Sequence, residues 1–399
     1  IRHFDGRVDK ITKEWKDAEI ELRRHSDFGV QLKRGSDDLQ TLAMAEIAGQ
    51  TDPLVKAQKI YDVTRSWYRW NEHLGMLAEL GLKKAFEQRT GNVADINLSM
   101  IAAMREADLD VEPVILSTVR NGLPTELHPV LSDFNYVVAK VNIGDKAYLA
   151  DATDKFQPFG ILPERCLNGK GRVLGEEASY WHELKPADRG KQISIFTLKL
   201  DENGTIKGTV QTSYIGYEAI GQRKRIFSFN SQEEYLAELR NNNTFMTLGN
   251  LELKNAEDIS GPLVQNLDVE MQAFDGEDTE NFLFNPFLSK KWISNPFKSN
   301  QRLYPVDFIR QAEYTMILKL EYPADFEIAN LPEKVGLALP GAGGRYVFEA
   351  IDQSHVLSLT SSLVINKTVF TSREYHYLRE LFSRMIQLQN GDLLFKKKS

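Results

Sequence analysis

A helix that is apolar around its whole circumference has to be covered on nearly every side. The stretch RTGNVADINLSMIAAMREADLDVEPVILST, residues 89 to 118, encodes one: Ile96, Leu98, Met100, Ile101 and Met104 fall all round the helical wheel. Gly91 opens it with a turn and the extended run VEPVILST follows it, so the segment reads as turn, helix, turn, strand. Unpaired N–H groups at a helix opening favour an anion, and many folds place a nucleophile there. Here the opening positions are Asn92, Val93, Ala94 and Asp95, none of them a serine, cysteine or threonine. Asp95 reads most simply as a capping or dipole-compensating carboxylate.

Around this segment the pattern is helices first and strands later. DPLVKAQKIYDVTRSWYRW begins with Asp52 as N-cap and Pro53 at the first helical position, and Leu54, Ala57, Tyr61, Thr64 and Tyr68 share a face. The aromatic run SWYRWNEHL keeps helical spacing and is expected in the core, with Arg69 or Glu72 at its edge. LKKAFEQR is a shorter helix before Gly91. EPVILST is a strand by its β-branched content, and YVVAKVNIGDKAYLADAT is a hairpin turning at Gly144-Asp145. This is an α+β pattern rather than alternating βαβ.

From about residue 190 strands dominate. ISIFTLKLDENGTIKGTVQTSYIG alternates on both sides of Asn203-Gly204, and YTMILKLEYP, GRYVFEAI, HVLSLTSSLVI and GDLLFKK are further strands. SQEEYLAELRNN interrupts them as a helix, with Ser231 and Glu234 at capping-box spacing. TSREYHYLRELFSRMIQLQN is a late amphipathic helix with Tyr375, Leu378, Phe382 and Ile386 on one face. The expected layout is an α+β domain over 1–185 and a β-sandwich-like region over 190–399, read alternatively as two modules with a seam near 310.

Composition excludes several classes. The single cysteine, Cys166, rules out an intramolecular disulfide and a cysteine-based zinc site. The seven histidines form no HxxxH or HExxH pair, so no metal site is expected, and no cofactor. A net charge of −7 argues against nucleic acid as a partner. No run approaches the ~18 apolar residues a membrane-spanning helix needs. GLALPGAGGRY lacks the strand-to-helix context of a phosphate loop and reads as a hairpin connection. The NPF triplets at 285–287 and 295–297 read as turns anchored by their phenylalanines.

The order of a Gly91-opened buried helix, a strand, FNYVVAKV and then KAYLADAT resembles the transglutaminase-like fold, which is shared with papain-like cysteine proteases. The likeness covers roughly residues 50 to 170, and WKDAEIELRRHSDFGVQLK (Trp15–Lys33) resembles the usual lead-in. NPF, RLYPVDF and the final strand-and-helix arrangement are similar to the C-terminal partner domain of bacterial exported proteins that carry this core between β-rich domains of unknown function. Residues 1–12 then stand as the last strand of an N-terminal β-domain. In that family a cysteine opens the buried helix in a GxCxD run, a histidine follows an asparagine on a later strand, and an aspartate sits in an LDxT run. Carried over residue by residue, the cysteine position is Val93, the histidine position after Asn135 is Tyr136, and the aspartate is kept as Asp151.

Cysteine chemistry needs a thiolate, a base within hydrogen-bond reach, and a carboxylate orienting that base. Valine has no nucleophile, and a tyrosine with a pKa near ~10 is a poor base at neutral pH. The resemblance therefore implies a non-catalytic member, acting as a scaffold or as a groove for protein, peptide or glycan in the bacterial periplasm or at the cell surface. Asn92, Asp95, Asn135 and His128 are its candidate cleft residues. Two alternatives stay open: a hydrolase or transferase using other residues, and a purely structural assembly module. Cys166 occupies no motif position and reads as a small buried hydrophobe, His128 as an exposed loop histidine.

Overall fold

The central helix is buried over its first twelve residues, Val93 to Met104, and the surrounding elements show why. In the computed structural model, residues 14–34, 37–175, 178–273 and 280–398 are described, and the chain divides into two units, 1–187 and 188–399. The architecture is mixed α+β. The strand expected within residues 1–12 lies outside the described residues.

Among the described residues of the first unit the helices are α1 (Trp15–Arg24), α2 (Gly29–Arg34), α3 (Asp37–Glu46), α4 (Pro53–Trp67), α5 (Leu82–Gln88) and α6 (Val93–Glu106). Strands β1 (Asp110–Leu116), β2 (Tyr136–Ile143), β3 (Lys146–Ala150), β4 (Lys170–Leu174) and β5 (Ser179–Glu183) form an antiparallel sheet in the order β3-β2-β1-β4-β5. α6 packs on β1 and β2 with one side and meets α2, α3, α4 and α5 with the others, so each residue from Val93 to Met104 is buried. Asp52 opens α4 as expected, its carboxylate accepting the N–H groups of Leu54 (2.8 Å) and Val55 (3.4 Å).

The aromatic run SWYRWNEHL departs from the expected helix. α4 stops at Trp67, and Arg69–Trp70 pairs in parallel with Thr90–Gly91. The N–H groups of Arg69 and Asn71 go to the carbonyls of Arg89 and Gly91, which draws the chain out of the helix. Tyr68 is buried, whereas Trp67 is half-buried, stacked on Phe86 with centroids 4.5 Å apart.

The second unit contains β6 (Gly190–Leu200), β7 (Thr205–Ile215), α7 (Tyr217–Ile226), α8 (Gln232–Asn241), β8 (Thr247–Lys254), β9 (Leu263–Gln272) and β10 (Asn281–Phe284). β11 (Ala312–Glu321), β12 (Phe326–Ile328), β13 (Val335–Ala338), β14 (Gly344–Gln353), β15 (Val356–Ile365), α9 (Tyr375–Gln389) and β16 (Leu393–Lys397) follow. Among the described residues, one eight-stranded sheet runs β8-β9-β7-β6-β11-β15-β14-β13 and a three-stranded sheet runs β10-β16-β12. Strands from both sides of residue 310 thus share a sheet, β6 pairing in parallel with β11. Phe196 and Leu318 of the large sheet, Phe395 of the small one, Tyr235 of α8 and Leu378 of α9 belong to one core.

The turn chemistry follows the sequence. Asp201 accepts the N–H groups of Asn203 and Thr205, both at 2.9 Å, and Gly204 takes φ +80° in the β6–β7 hairpin. Asn285 and Asn295 accept the N–H of Phe287 (3.0 Å) and Phe297 (2.8 Å), and both phenylalanines are buried. α7 was not expected from the sequence, because an arginine interrupts its inward face. Arg223 is 1% exposed and donates to the carbonyls of Asn255 (3.0 Å), Asp258 (2.6 Å) and Gly261 (2.8 Å). Among the described residues no helix is long and apolar enough to cross a membrane.

Candidate functional site

The opening of α6 is closed by its own side chains. Asn92 Oδ1 accepts the Asp95 N–H at 2.8 Å, and Asp95 Oδ2 accepts the Asn92 N–H at 3.0 Å, a reciprocal capping box. Asp95 also accepts the N–H groups of Leu80 (3.1 Å) and Gly81 (2.9 Å), tying that loop to the helix. Burial pushes the Asp95 carboxyl up from its ordinary range, while these backbone N–H groups pull it back. Glycine at 91 is required by packing, since a β-carbon there would lie 2.6 Å from that of Asp95. Val93 is fully buried and its N–H goes to the His73 carbonyl at 3.3 Å. The N–H groups of residues 92, 93 and 95 are therefore already bonded within the chain.

Behind this opening lies a buried polar network centred on Asp151, which is 0% exposed. Its Oδ2 accepts the Tyr136 hydroxyl at 2.6 Å and an Arg165 N–H at 3.3 Å. Its Oδ1 accepts Asn97 Nδ2 at 3.0 Å and the Thr153 N–H at 3.1 Å. Arg165 donates to the Tyr136 hydroxyl through Nε (3.0 Å) and Nη2 (2.7 Å), and to Thr153 Oγ1 at 2.6 Å. Asn97, from the middle of α6, also donates to the Val137 carbonyl and accepts the Ala152 N–H, each at 2.9 Å. The guanidinium lies over the Trp70 ring, 4.5 Å from its centroid.

The electrostatics of this network oppose proton abstraction. Burial, and then the Asp151 carboxylate, push the Tyr136 hydroxyl well above its usual range, so it remains a donor. Arg165 loses solvation on burial, but Asp151 and Tyr136 outweigh that and hold it more firmly protonated. Cys166 is fully buried beside these groups, and burial pushes its thiol well up. A reactive cysteine needs the reverse, a stabilised thiolate with access to solvent.

Of the four expected cleft residues, the structure brings Asn92 to a surface depression. Asp95 is buried in the capping box. Asn135 is half-buried and clamps the exit of β1, accepting the Thr118 N–H at 2.9 Å and donating to its hydroxyl at 3.0 Å. His128 is exposed in a bend at 126–128. The depression beside Asn92 is an open groove of about 670 Å³. Buried Leu22 and Phe134 and exposed Leu74 supply its apolar surface, while Glu21, His25, His73 and Glu79 supply its charge and imidazoles. His73 Nδ1 lies 3.0 Å from Glu79 Oε2. Among the described residues no three His, Cys, Asp or Glu side chains are grouped to hold a metal ion.

Arg165 and Asn97 escaped the sequence reading. Asn97 had a legible signal, because a polar side chain on a helix without an exposed face must find an interior partner. Arg165 had none, since a short turn through Pro163–Cys166 brings it to Asp151.

Residues 280–395 match the family described as Domain of Unknown Function with solved-structure structure (DUF3858). No curated protein matches the chain. Over 92% of its length the chain is similar in fold to a crystal structure from Parabacteroides distasonis ATCC 8503 described as a "putative protease", with a TM-score of 0.55 at 10% identity. The chain spans 57% of that protein's length. At this identity the likeness is one of fold alone.

Proposed function

We propose that the first unit is a transglutaminase-like module without catalytic chemistry, acting as a binding or scaffold module of the bacterial cell envelope beside a sandwich-like C-terminal region. The observation that carries this reading is the saturation of Asp151. A carboxylate that orients a catalytic base leaves that base free to take a proton. Here the group facing Asp151 is a tyrosine held protonated between a carboxylate and a guanidinium, and the helix opening holds a buried valine. Recognition then falls to the groove beside Asn92. Among the described residues its lining carries Glu21 and Glu79 and no lysine or arginine, next to leucine and phenylalanine. That surface suits a peptide bearing apolar and basic side chains.

Two experiments test the two halves. Thiol-directed and fluorophosphonate activity probes are expected to leave the native protein unlabelled. Labelling that disappears on Cys166→Ala or Ser132→Ala would overturn the non-catalytic reading; Ser132 lines the groove with His73 and Glu79. For binding, anisotropy titration of fluorescent Lys/Leu-containing peptides is expected to saturate and to weaken at least tenfold in Leu74→Asp or Glu79→Lys. Equal binding by the variants removes the groove from the proposal. Cell fractionation placing the full-length protein in the cytoplasm would remove the envelope.

A further inference from the structure

The core face of the eight-stranded sheet is crossed by a row of polar side chains. Strand register places Gln265 of β9 opposite Thr212 of β7, Thr212 opposite Ser194 of β6, and Ser194 opposite Met316 of β11. Met316 is in turn opposite Ser361 of β15, and Ser361 opposite Phe348 of β14. All six are buried, and four are polar. Two residues along on the same face the row is apolar, with Phe196, Leu318 and Leu359. Buried polar groups are normally hydrogen-bonded, and most of this row is. Ser194 meets Thr212 at 3.1 Å, the Tyr235 hydroxyl donates to Gln265 at 2.7 Å, and Tyr346 meets Ser361 at 3.0 Å.

One group breaks the pattern. Gln389, near the end of α9, is 8% exposed; its side-chain amide meets the Tyr346 hydroxyl, but its Oε1 has no hydrogen-bond partner. It lines a cavity of about 40 Å³ together with Ser194, Ser361 and Tyr346, and half-buried Trp292 and exposed Lys291 line it as well. A water needs roughly 10–15 Å³ by this measure, so there is space for about three oxygen-sized groups and none for a ring. An occupant must donate to the free amide oxygen and both donate to and accept from serine and tyrosine hydroxyls. Among small neutral groups the hydroxyl does both. Among the described residues the lining includes no carboxylate, which leaves a cation without a counter-charge.

We propose that this cavity is a binding site for hydroxyl oxygens, filled either by a cluster of about three waters or by the hydroxymethyl end of a polyol reaching in past Trp292. All its lining residues except Gln192 and Ser194 lie within 280–395, so the proposal assigns a site to the region of unknown function.

The test is a high-resolution crystal structure of the full chain grown without polyols, then soaked in glycerol or threitol. Ordered oxygens are expected within about 3.2 Å of Gln389 Oε1 and Ser361 Oγ. Unchanged waters after soaking identify hydration. Continuous polyol density, backed by saturable NMR shifts of cavity residues in solution, identifies the polyol. Density without those shifts means an adventitious additive only and removes the polyol arm, leaving the waters as the site's occupants. Gln389→Met, which keeps the side-chain volume, is expected to lose the oxygen nearest position 389 while the fold is kept. A cavity without ordered density, or oxygens unmoved in Gln389→Met, overturns the proposal. Should that variant fail to fold, water-to-protein NOEs on the native chain decide: their absence at Ser194, Ser361 and Tyr346 overturns it equally.

Discussion

The two units each bury a polar cluster, and the clusters are finished differently. Around Asp151 a full negative charge is enclosed, and both of its oxygens are satisfied by Tyr136, Arg165, Asn97 and Thr153. Along the sheet of the second unit the groups are neutral, and the cluster ends on an amide whose oxygen has no partner, beside a cavity. A buried charge must be neutralised and hydrogen-bonded in place, which forces closure. A neutral row costs less to leave incomplete, so it can keep space for an exchangeable oxygen. The difference explains why the charged cluster is sealed on every side, whereas the neutral one retains room.

The comparison breaks if Asp151 turns out to be replaceable. Asp151→Ala leaves the Arg165 cation, the Tyr136 hydroxyl and Asn97 without their shared acceptor. The expected loss is about 3–5 kcal/mol in urea unfolding, the usual cost of breaking a buried pair from one side. A loss under ~1 kcal/mol would mean that solvent reaches the network and that closure is not what holds it. Two matched truncations sharpen the contrast. Tyr136→Phe removes a hydroxyl bonded to two charged groups and should cost about 1.5–3 kcal/mol. Tyr346→Phe removes one bonded only to neutral side chains, Ser361 and Gln389, and should cost about 0.5–1.5 kcal/mol. Equal losses would erase the distinction between the clusters.

How much of this was legible in the sequence differs by element. α6 was readable because Ile96 to Met104 leave it no exposed face, and Asp95 was read as its capping carboxylate, although the reciprocal bond from Asn92 was not. The β2–β3 and β6–β7 hairpins followed from Gly144-Asp145 and Asn203-Gly204. α7 was missed because Arg223 breaks its apolar stripe, and what satisfies Arg223 is a loop some thirty residues away. Of the Asp151 network, Tyr136 and Asp151 were singled out by the family resemblance, which marked their motif positions. Arg165 arrives through a turn that no periodicity announces. The groove was legible at Asn92 alone, since it forms where α1, the segment 73–79 and the segment 131–134 meet in space.

Acid titration separates the units with opposite signs. Burial raises the Glu218 carboxyl, but Tyr314, Lys291 and Arg310 outweigh it, and the net shift is downward. Its folded pKa is then below the unfolded value of about 4.3, so its stabilisation is present above that pH and lost as the pH falls through the folded value. Asp95 runs the other way. Burial holds its folded pKa above the unfolded value of about 3.9, so its contribution is full below that pH and lost as the pH rises through the raised one. Glu218→Gln should flatten the acid limb of a stability-versus-pH curve. Asp95→Asn should instead remove a decline on the way up from acid. The same slope change in both variants would refute the assignment.

The smallest effect expected is at the groove. His73 and Glu79 form a 3.0 Å pair, but their side chains are 64% and 49% exposed, where ion pairs contribute about 0–1 kcal/mol. Glu79→Gln should therefore leave the urea midpoint nearly unmoved while weakening any basic peptide held there. The network and the groove lie on the same unit, one behind the helix opening and one beside it. If Glu79→Gln destabilised the protein as much as Tyr136→Phe, the groove would be a structural extension of the closed network. A stable Glu79→Gln with reduced peptide affinity keeps the two separate: an interior locked by charge, and a surface where charge is solvated and exchangeable.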